Sequence, residues 1–488
     1  MIIRKLAAWI DDRLGAASFA EEALNKVFPD HWAFLLGEIA MYCFVVLVAT
    51  GVFLTFFFDA SPAKTVYSGH YAPLNGSQVS SAYSSVVHLS FDIRMGLVIR
   101  QIHHWAAVVF IAAIVAHLCR IFFTSAFRRP REINWLLGMT LMILSIFNGF
   151  TGYSLPDDLL SGVGLRIAYS IAISIPFLGP WMAFLIFGGK FGSPQIIGRL
   201  FIIHVLLIPA AIAGILGAHL AIVWRQKHTQ FLIPGAAETN VVGERLWPTY
   251  ATKSVGLFFG VAAVLSFLGG LVQINPVWLY GPYAPAQVSS PAQPDWYLGW
   301  LEGALRLFPA WQFRIFGLEI PNVFLPAVVL PGITFGLLYA WPFLEAWRTG
   351  DHAPHHILDR PRDRPVHTAL GMATLTFYAV LLFGGLNDLV AKWFQLPVES
   401  VTWTLRILGI VLPILVGWLT YRLMVALRQD AGERARHARA EPALAVAGGA
   451  GSRPGGGPGS GAARWGLAGF VAAGAVGAWR LLRRRRGE

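Results

Sequence analysis

Residues 100–120 read RQIHHWAAVVFIAAIVAHLCR, and residues 200–220 read LFIIHVLLIPAAIAGILGAHL. Each apolar stretch holds a pair of histidines, 14 residues apart in the first stretch and 15 in the second: His103 and His117, then His204 and His219. At about 3.6 residues per turn and 1.5 Å per residue, either spacing is close to four helical turns, or about 21–23 Å. The histidines of each pair therefore share one helix face, and two such helices side by side could hold two planar metal cofactors.

The composition predicts a membrane protein of the all-α class. The chain of 488 residues is 56% hydrophobic and 13% charged, with a mean hydropathy of +0.57, which is unlike ordinary soluble folds. Apolar stretches of about 20 residues are long enough to cross a bilayer, and they predict a polytopic fold with eight transmembrane helices. The predicted spans are 33–58, 97–123, 133–153, 200–224, 254–275, 323–345, 367–386 and 402–425.

The positive charge follows the predicted membrane topology. The net charge of +12 comes largely from basic residues in alternate loops, which indicates orientation in a membrane and no nucleic-acid partner. By the positive-inside rule, these loops, the N-terminus and the main C-terminal tail lie in the cytoplasm. The residues concerned are Arg120, Arg128, Arg129 and Arg131; Arg225, Lys227, Arg245 and Lys253; and Arg348, Arg360, Arg362 and Arg364.

The four histidines indicate haem ligation. A single histidine inside a membrane helix is more often a packing or hydrogen-bonding residue, although such histidines are rare and usually functional. Two matched pairs on helices that run in the same direction are hard to explain by packing alone. Because bis-histidine ligation suits haem iron, the sequence predicts a diheme four-helix bundle in the N-terminal half.

Small and basic residues near the histidines fit the same prediction. Glycines 14 residues apart on the first and third helices would let a flat macrocycle approach the backbone, although small-residue helix packing is the alternative. Arginines three residues from a histidine could pair with haem propionates, although they could instead reach the membrane surface. These residues are Gly37, Gly51, Gly138, Gly152, Arg100 and Arg120.

Several motifs, in this order, resemble cytochrome b of the quinol–cytochrome c reductases, the cytochrome bc complexes. They are RQIHHWAA at 100–107, VAHLCRIF at 115–122, RRPREINW at 128–135, TGYSLPDD at 151–158 and PDWY at 294–297. The resemblance runs from about residue 20 to 428. Four more motifs are similar to the actinobacterial type, whose substrate is menaquinol: WRQKHTQF, ETNVVGERLWP, FLEAWRTGDH and LDRPRDRPVHTALG.

The resemblance assigns the haem ligands and divides the chain. It implies that His103 and His204 ligate the iron of a low-potential haem near the outer surface, and that His117 and His219 ligate that of a high-potential haem near the cytoplasm. His104 is a rival to His103, but it lies about 100° around the helix and faces elsewhere. The expected domains are an amphipathic surface segment at 1–30, the diheme bundle at 31–228, a C-terminal cytochrome b domain with four helices and the quinol-oxidation loop at 229–428, and a flexible basic tail at 429–488 with a short apolar segment at 465–479.

The resemblance also implies two quinone sites. The outer site would contain Tyr153 and the PDWY segment, Pro294, Asp295, Trp296 and Tyr297, with Asp295, Tyr297 and Tyr153 as the catalytic residues. The alternative is that the aromatic residues form an interfacial belt. At the inner site the family's usual lysine–aspartate pair reads Lys253–Ser254, and a usual histidine is absent near Trp224. The candidates that remain are Arg225, Lys227, His228 and Lys253, each of which could equally be a solvated loop charge.

The function that the resemblance implies is that of a menaquinol–cytochrome c oxidoreductase subunit in a bacterial cell membrane. Quinol would be oxidised with bifurcation at the outer site, and two b haems would carry electrons to the inner quinone site, coupled to proton translocation. Expected partners are a Rieske iron–sulfur subunit, a cytochrome c subunit, a second copy of the complex, membrane lipids and a haem-copper oxidase. The alternative is a diheme electron conduit of a dehydrogenase or reductase without bifurcation.

Overall fold

The computed structural model describes residues 2–287, 293–315 and 317–447. The chain divides into two units, Met1–Gln429 and one that begins at Asp430, and each is described by itself. The predicted apolar segment at 465–479 lies outside the described residues. The four predicted domains are not tested by this division and stay a prediction.

The prediction of eight transmembrane helices is confirmed. In the described part of the chain, eight helices are long and apolar enough to cross a membrane. They are Trp32–Thr55, Gly96–Phe123, Glu132–Tyr153, Ile196–Gln226, Leu246–Leu271, Leu325–Thr349, Pro365–Gly385 and Val398–Gly432. Each overlaps its predicted span, and the protein is integral to a membrane.

The helices are joined by connections of unequal length, several of which contain short helices or strands of their own. Their bounds are α1 Ile2–Leu14, α2 Ala16–Asn25, α3 Leu35–Thr55, α4 Ser81–Phe91, α5 Gly96–Phe123, α6 Glu132–Tyr153, α7 Leu159–Ile173, α8 Gly179–Phe187, α9 Ile196–Ile202, α10 Ile208–Gln226, α11 Ala251–Leu271, α12 Val277–Tyr280, α13 Trp296–Leu307, α14 Leu330–Thr349, α15 Pro365–Gly385, α16 Asn387–Phe394 and α17 Val398–Ala447. Three π-helical segments, Ile203–Leu207, Leu246–Tyr250 and Leu325–Val329, join or precede α10, α11 and α14.

The strands are short and lie outside the membrane helices. β1 (Val27–Phe28) pairs antiparallel with β4 (Glu244–Arg245), which ties the N-terminal segment to the loop before α11. The pairs β2 (Lys64–Val66) with β3 (Gln78–Ser80) and β5 (Phe313–Ile315) with β6 (Leu318–Ile320) are local hairpins. These pieces do not alter the predicted all-α class.

Packing places both histidine stretches in one bundle. Helix α5 contacts α3 and α6, α6 contacts α10, and α11 packs against α3 and α5. The central apolar cluster includes Cys43, Ala106, Ile111 and Leu265, each fully or almost fully buried. Cys43 and Cys119 are both free thiols inside the helices.

Candidate functional site

The outer histidines lie opposite each other in the bundle. The ring centroids of His103 on α5 and His204 are 6.3 Å apart, with an angle of 77° between the ring planes. Because a first-row metal lies about 2 Å from a ligating imidazole nitrogen, two rings on either side of one ion have centroids about 6 Å apart. The separation therefore fits a single iron held between the two imidazoles.

Hydrogen bonds orient both rings for ligation through Nε2. The Nδ1–H of His103 donates to Thr50 Oγ1 at 2.9 Å, whose own hydroxyl donates to the Val46 carbonyl. The Nδ1–H of His204 donates to the Asn148 carbonyl at 3.0 Å. A second hydrogen bond of this kind fixes the tautomer of a metal-binding histidine and leaves the other nitrogen free for the metal.

A π-helical turn explains the unequal spacing of the two histidine pairs. His204 lies in the segment Ile203–Leu207, which is π-helical and is followed by α10 with Pro209 near its start. A π turn inserts one extra residue into an α-helix, and such insertions occur often at functional sites. The 15 residues from His204 to His219 therefore cover about the same rotation and rise as the 14 from His103 to His117.

The predicted glycines lie against the four histidines, one glycine to each ring. A Cβ atom on Gly37 would lie 3.2 Å from the His117 ring, one on Gly51 would lie 3.2 Å from the His103 ring, and one on Gly138 would lie 3.7 Å from the His219 ring. A Cβ on Gly152 would collide with His204. Because glycine has no side chain at these four positions, a flat group can reach both histidine pairs.

Arg100 is buried and Arg120 is half-buried, and each has a buried nitrogen atom that lacks a partner among the described residues. Arg100 donates from Nη2 to the Asn275 carbonyl at 2.9 Å, but its buried Nη1 has no partner. Arg120 donates to Thr229 Oγ1 at 3.4 Å, but its buried Nε has none. Neither forms an ion pair with a carboxylate of the described residues, so both can bind an anionic group such as a haem propionate.

The inner histidines are less constrained than the outer pair. The buried Nδ1 atom of His117 has no hydrogen-bond partner within the described residues, and the His219 ring lies near the Asn134 backbone without a well-formed hydrogen bond at Nδ1. Each ring still faces its glycine, and Arg120 lies one helical turn after His117. The residues present therefore fit two haems, one at each pair.

One cavity joins the outer histidines to the predicted quinol site. It has a volume of about 270 Å³. Its lining includes Gly51, Gly152, Arg100, His103, His104, Tyr153, His204, Asp295 and Tyr297. Pro294 is not part of this lining, and Trp296 packs against the central apolar cluster instead, as an aromatic residue of the core.

Asp295 is directed into this cavity by two hydrogen bonds. It occupies the N-cap position of α13, yet its side chain does not cap the helix, which is the usual role of an aspartate there. The Nε2–H of His104 donates to Oδ1 at 2.8 Å, and the Tyr297 hydroxyl donates to Oδ2 at 2.9 Å. The carboxylate is thereby positioned by residues of two helices, α5 and α13.

The same contacts determine the acidity of Asp295. Burial raises the pKa of its carboxyl, but the charge of His104 and the hydrogen bonds from His104 and Tyr297 lower the pKa by more, so that it falls below its ordinary value. The carboxylate is therefore ionised at neutral pH and able to accept a proton. Tyr153 also borders the cavity, and its hydroxyl donates to the Leu160 carbonyl at 3.0 Å.

His104 is the outer-site residue that sequence reasoning missed. The sequence predicted only that it faces elsewhere than His103, and nothing in the local sequence identified Asp295 as its contact. The two residues are 191 positions apart. The available signal was the doubled histidine itself, since a second polar residue inside a membrane helix needs a partner.

The predicted inner-site residues are not brought together. Arg225 is exposed at the end of α10, and Lys227 is exposed just after it. His228 packs against Phe28 with tilted rings, and there burial and the charges of Lys26, Arg131 and Arg120 lower its pKa to about 4. Lys253 forms an ion pair with Asp30 at 2.7 Å, with both side chains about half exposed.

Together the eight membrane helices and the half-buried histidine pairs define a polytopic membrane protein built to hold metal cofactors between its helices. Residues 108–282 match the family described as cytochrome b (N-terminal)/b6/petB. The cytochrome bc1 complex cytochrome b subunit of Mycobacterium leprae is 50% identical over 430 residues, covering 88% of this chain and 78% of the relative. That of Streptomyces coelicolor is 47% identical over 436 residues, covering 89% and 80%.

A solved structure described as a hyperthermophilic respiratory Complex III has the same fold. Its TM-score is 0.62 at 21% identity, with 85% of this chain and 99% of the other covered. On the strength of the sequence relatives, the chain belongs to the family of cytochrome b subunits of the cytochrome bc1 complex. Members of this family carry b-type haem.

Proposed function

We propose that this chain is the cytochrome b subunit of a menaquinol–cytochrome c oxidoreductase. Quinol is oxidised at the outer site with bifurcation of its two electrons, one of which crosses the membrane to a quinone at the inner site. When bound, the two b haems supply the one-electron chemistry of that crossing. The observation that carries the proposal is the single cavity that borders both the outer histidine pair and Asp295.

The protein's own residues hold the haems and orient them. His103 and His204 would ligate the low-potential haem iron, and His117 and His219 would ligate the high-potential haem iron. Arg100 and Arg120 would bind the propionates, since each has a buried nitrogen without a protein partner. Gly37, Gly51, Gly138 and Gly152 leave room for the macrocycles beside the ligands.

Asp295 takes a proton from the quinol hydroxyl at the outer site. Its low pKa keeps it ionised before the reaction, and His104 and Tyr297 hold it in place. Tyr153 forms part of the lining of the same cavity. Positioned bases of this kind accelerate proton transfer by about 10²–10⁴-fold.

The partners and the orientation follow from the same function. The first electron needs an acceptor outside this chain, a Rieske iron–sulfur subunit, and a cytochrome c subunit then receives it. The complex is a homodimer in a bacterial cell membrane, in contact with lipids, and it associates with a haem-copper oxidase. The distribution of basic loops supports a cytoplasmic N-terminus and a cytoplasmic main C-terminal tail.

A pulse of oxidant tests bifurcation directly. Membranes that contain the complex are kept anaerobic with menaquinol, ferricyanide is added, and the optical absorbance of the b haem is followed. The oxidant draws the first electron of each menaquinol away from the outer site. The second electron can then leave only through this chain, so haem b should become transiently more reduced. A diheme conduit without bifurcation would show oxidation of haem b instead.

The glycines give a second test. Gly152→Leu should remove the absorbance of the outer haem and leave that of the inner haem, because the new side chain would overlap the His204 ring and the space beside it. The measurement is haem content by optical spectroscopy of the purified complex. Gly260→Leu is the control, since a Cβ there meets nothing within 4 Å. Two intact haems in the Gly152 variant would contradict the assignment.

A further inference from the structure

Glu38 is a carboxylate inside a membrane helix. It lies within the first transmembrane span, in the first turn of α3. Ionisable side chains at this depth are unfavourable unless they are hydrogen-bonded or paired, and they usually mark a functional site. Within the described part of the chain, no lysine, arginine or histidine forms an ion pair with it.

Hydroxyl groups take the place of a cation around Glu38. The Tyr250 hydroxyl donates to its Oε1, and Ser254 Oγ donates to its Oε2 at 2.6 Å. The hydroxyl of Tyr42 lies 2.5 Å from Ser254 Oγ. Because Ser254 gives its only proton to Glu38, Tyr42 donates to Ser254. All four residues belong to two neighbouring spans, α3 and the span that contains α11.

The position of this cluster connects solvent to the inner histidines. On one side, Lys253 precedes Ser254 and forms the half-exposed ion pair with Asp30. On the other side, Gly37 precedes Glu38, and a Cβ on Gly37 would lie 3.2 Å from the His117 ring. Glu38 thus lies between the aqueous edge of the bundle and the inner histidine pair.

Helix geometry alone does not account for the cluster. A carboxylate in the first turn of a helix is favoured by the helix dipole, and this effect would suffice for an exposed residue. Here, however, two hydroxyls from a different span converge on the same carboxylate, and a third hydroxyl supports them. A chain of hydroxyls that ends at a carboxylate can pass protons as well as stabilise charge.

We propose that Glu38 is the proton-donating residue of the inner quinone site, with Tyr250 and Ser254 as its positioning partners. The inference rests on the proposed function, because it requires quinone reduction near the inner haem. Reduction of a quinone to a quinol takes up two electrons and two protons. The inner haem, when bound, would supply the electrons one at a time, and each proton leaves the Glu38 carboxyl as its O–H bond breaks and a new O–H bond forms on a quinone oxygen.

Cytoplasmic water reprotonates Glu38 after each transfer, along the edge formed by Tyr250 and the Lys253–Asp30 pair. Lys253 therefore acts at the solvent side of the site, and Arg225 and Lys227 lie at other exposed positions. The other titratable or charged groups on the elements around Glu38 are Lys26, Asp30, His31, Tyr42, His117, Arg120, His228, Tyr250 and Lys253.

The test uses the purified complex with the outer site slowed by Asp295→Asn and its high-potential electron acceptors reduced beforehand with ascorbate, so that menaquinol reduces haem b through the inner site in reverse. Glu38→Gln should slow this reduction by about 10²-fold, in line with the loss of a positioned acid or base, and should flatten its dependence on pH. Glu38→Asp should retain most of the rate. Glu132→Gln is the matched control, since Glu132 also lies in the first turn of an inner-side helix, and it should leave the rate unchanged.

A second readout does not depend on turnover. The redox-difference infrared spectrum of the complex should contain a carboxylic acid C=O band that disappears in Glu38→Gln and shifts in Glu38→Asp. Equal rates and an unchanged infrared band in Glu38→Gln would overturn the proposal for Glu38 alone. Absence of any inner-site reduction in the Asp295→Asn parent would overturn the proposed function, and this proposal with it.

Discussion

Replacing His204 with alanine should remove one of the two b-type haems and leave the other in place. The His103 ring would then face an empty position across the 6.3 Å that separates the two ring centroids, and one imidazole with a free coordination position holds haem iron far less tightly. A redox-titrated optical spectrum of the purified complex should show a single haem component, the one with the higher potential. His204→Met keeps a ligand and should keep both haems, with the outer potential raised.

His219→Ala should give the complementary result, with the lower-potential component retained. His104→Gln is the control for the choice between adjacent histidines, because its side chain binds Asp295 and should leave both haems present. If either alanine variant lost both haem components, the two histidine pairs would not bind their haems independently of each other. If His104→Gln lost a haem while His103→Ala kept both haems, the ligand on α5 would be His104 and not His103.

The membrane helices and the histidine pairs could be predicted because their signals are local. A span of about 20 apolar residues needs no partner to be recognised, and all eight such spans are confirmed. Residues 14 positions apart lie on the same face of a helix, so the placing of the histidines on one helix and of the glycines on its neighbours could also be predicted from helix geometry alone. The π-helical turn at Ile203–Leu207 could not be predicted from regular helix geometry. The extra residue in the spacing of 15 between His204 and His219 is its only sign in the sequence.

The polar contacts at both quinone sites depend on long-range packing. His104 and Asp295 are 191 positions apart, and Glu38 and Ser254 are 216 apart. No periodicity links residues at such distances, so the sequence identified Asp295 by its motif but missed its partner. At the inner site it identified only charged loop residues, because a glutamate in a helix's first turn is unremarkable until a second helix places hydroxyls against it.

Asp295→Asn should lower the rate of quinol oxidation by about 10²-fold or more, because an amide cannot accept the quinol proton. The measurement is steady-state reduction of cytochrome c by menaquinol, together with the haem spectrum, which should be unchanged. Asp295→Glu restores a carboxylate and should recover much of the rate. Glu319→Gln removes an exposed carboxylate of the hairpin strand β6 and should have no effect.

The pH dependence separates a proton acceptor from a merely structural aspartate. Since the pKa of Asp295 lies below its ordinary value, the base stays ionised as the pH falls through the range in which a free aspartate would begin to protonate. His104→Gln removes the main group that lowers this pKa, so burial should then dominate and raise it. The fall in rate at acidic pH should consequently begin at higher pH in His104→Gln than in the unsubstituted protein. An acid limb that does not move, or a full rate in Asp295→Asn, would show that another group accepts the proton.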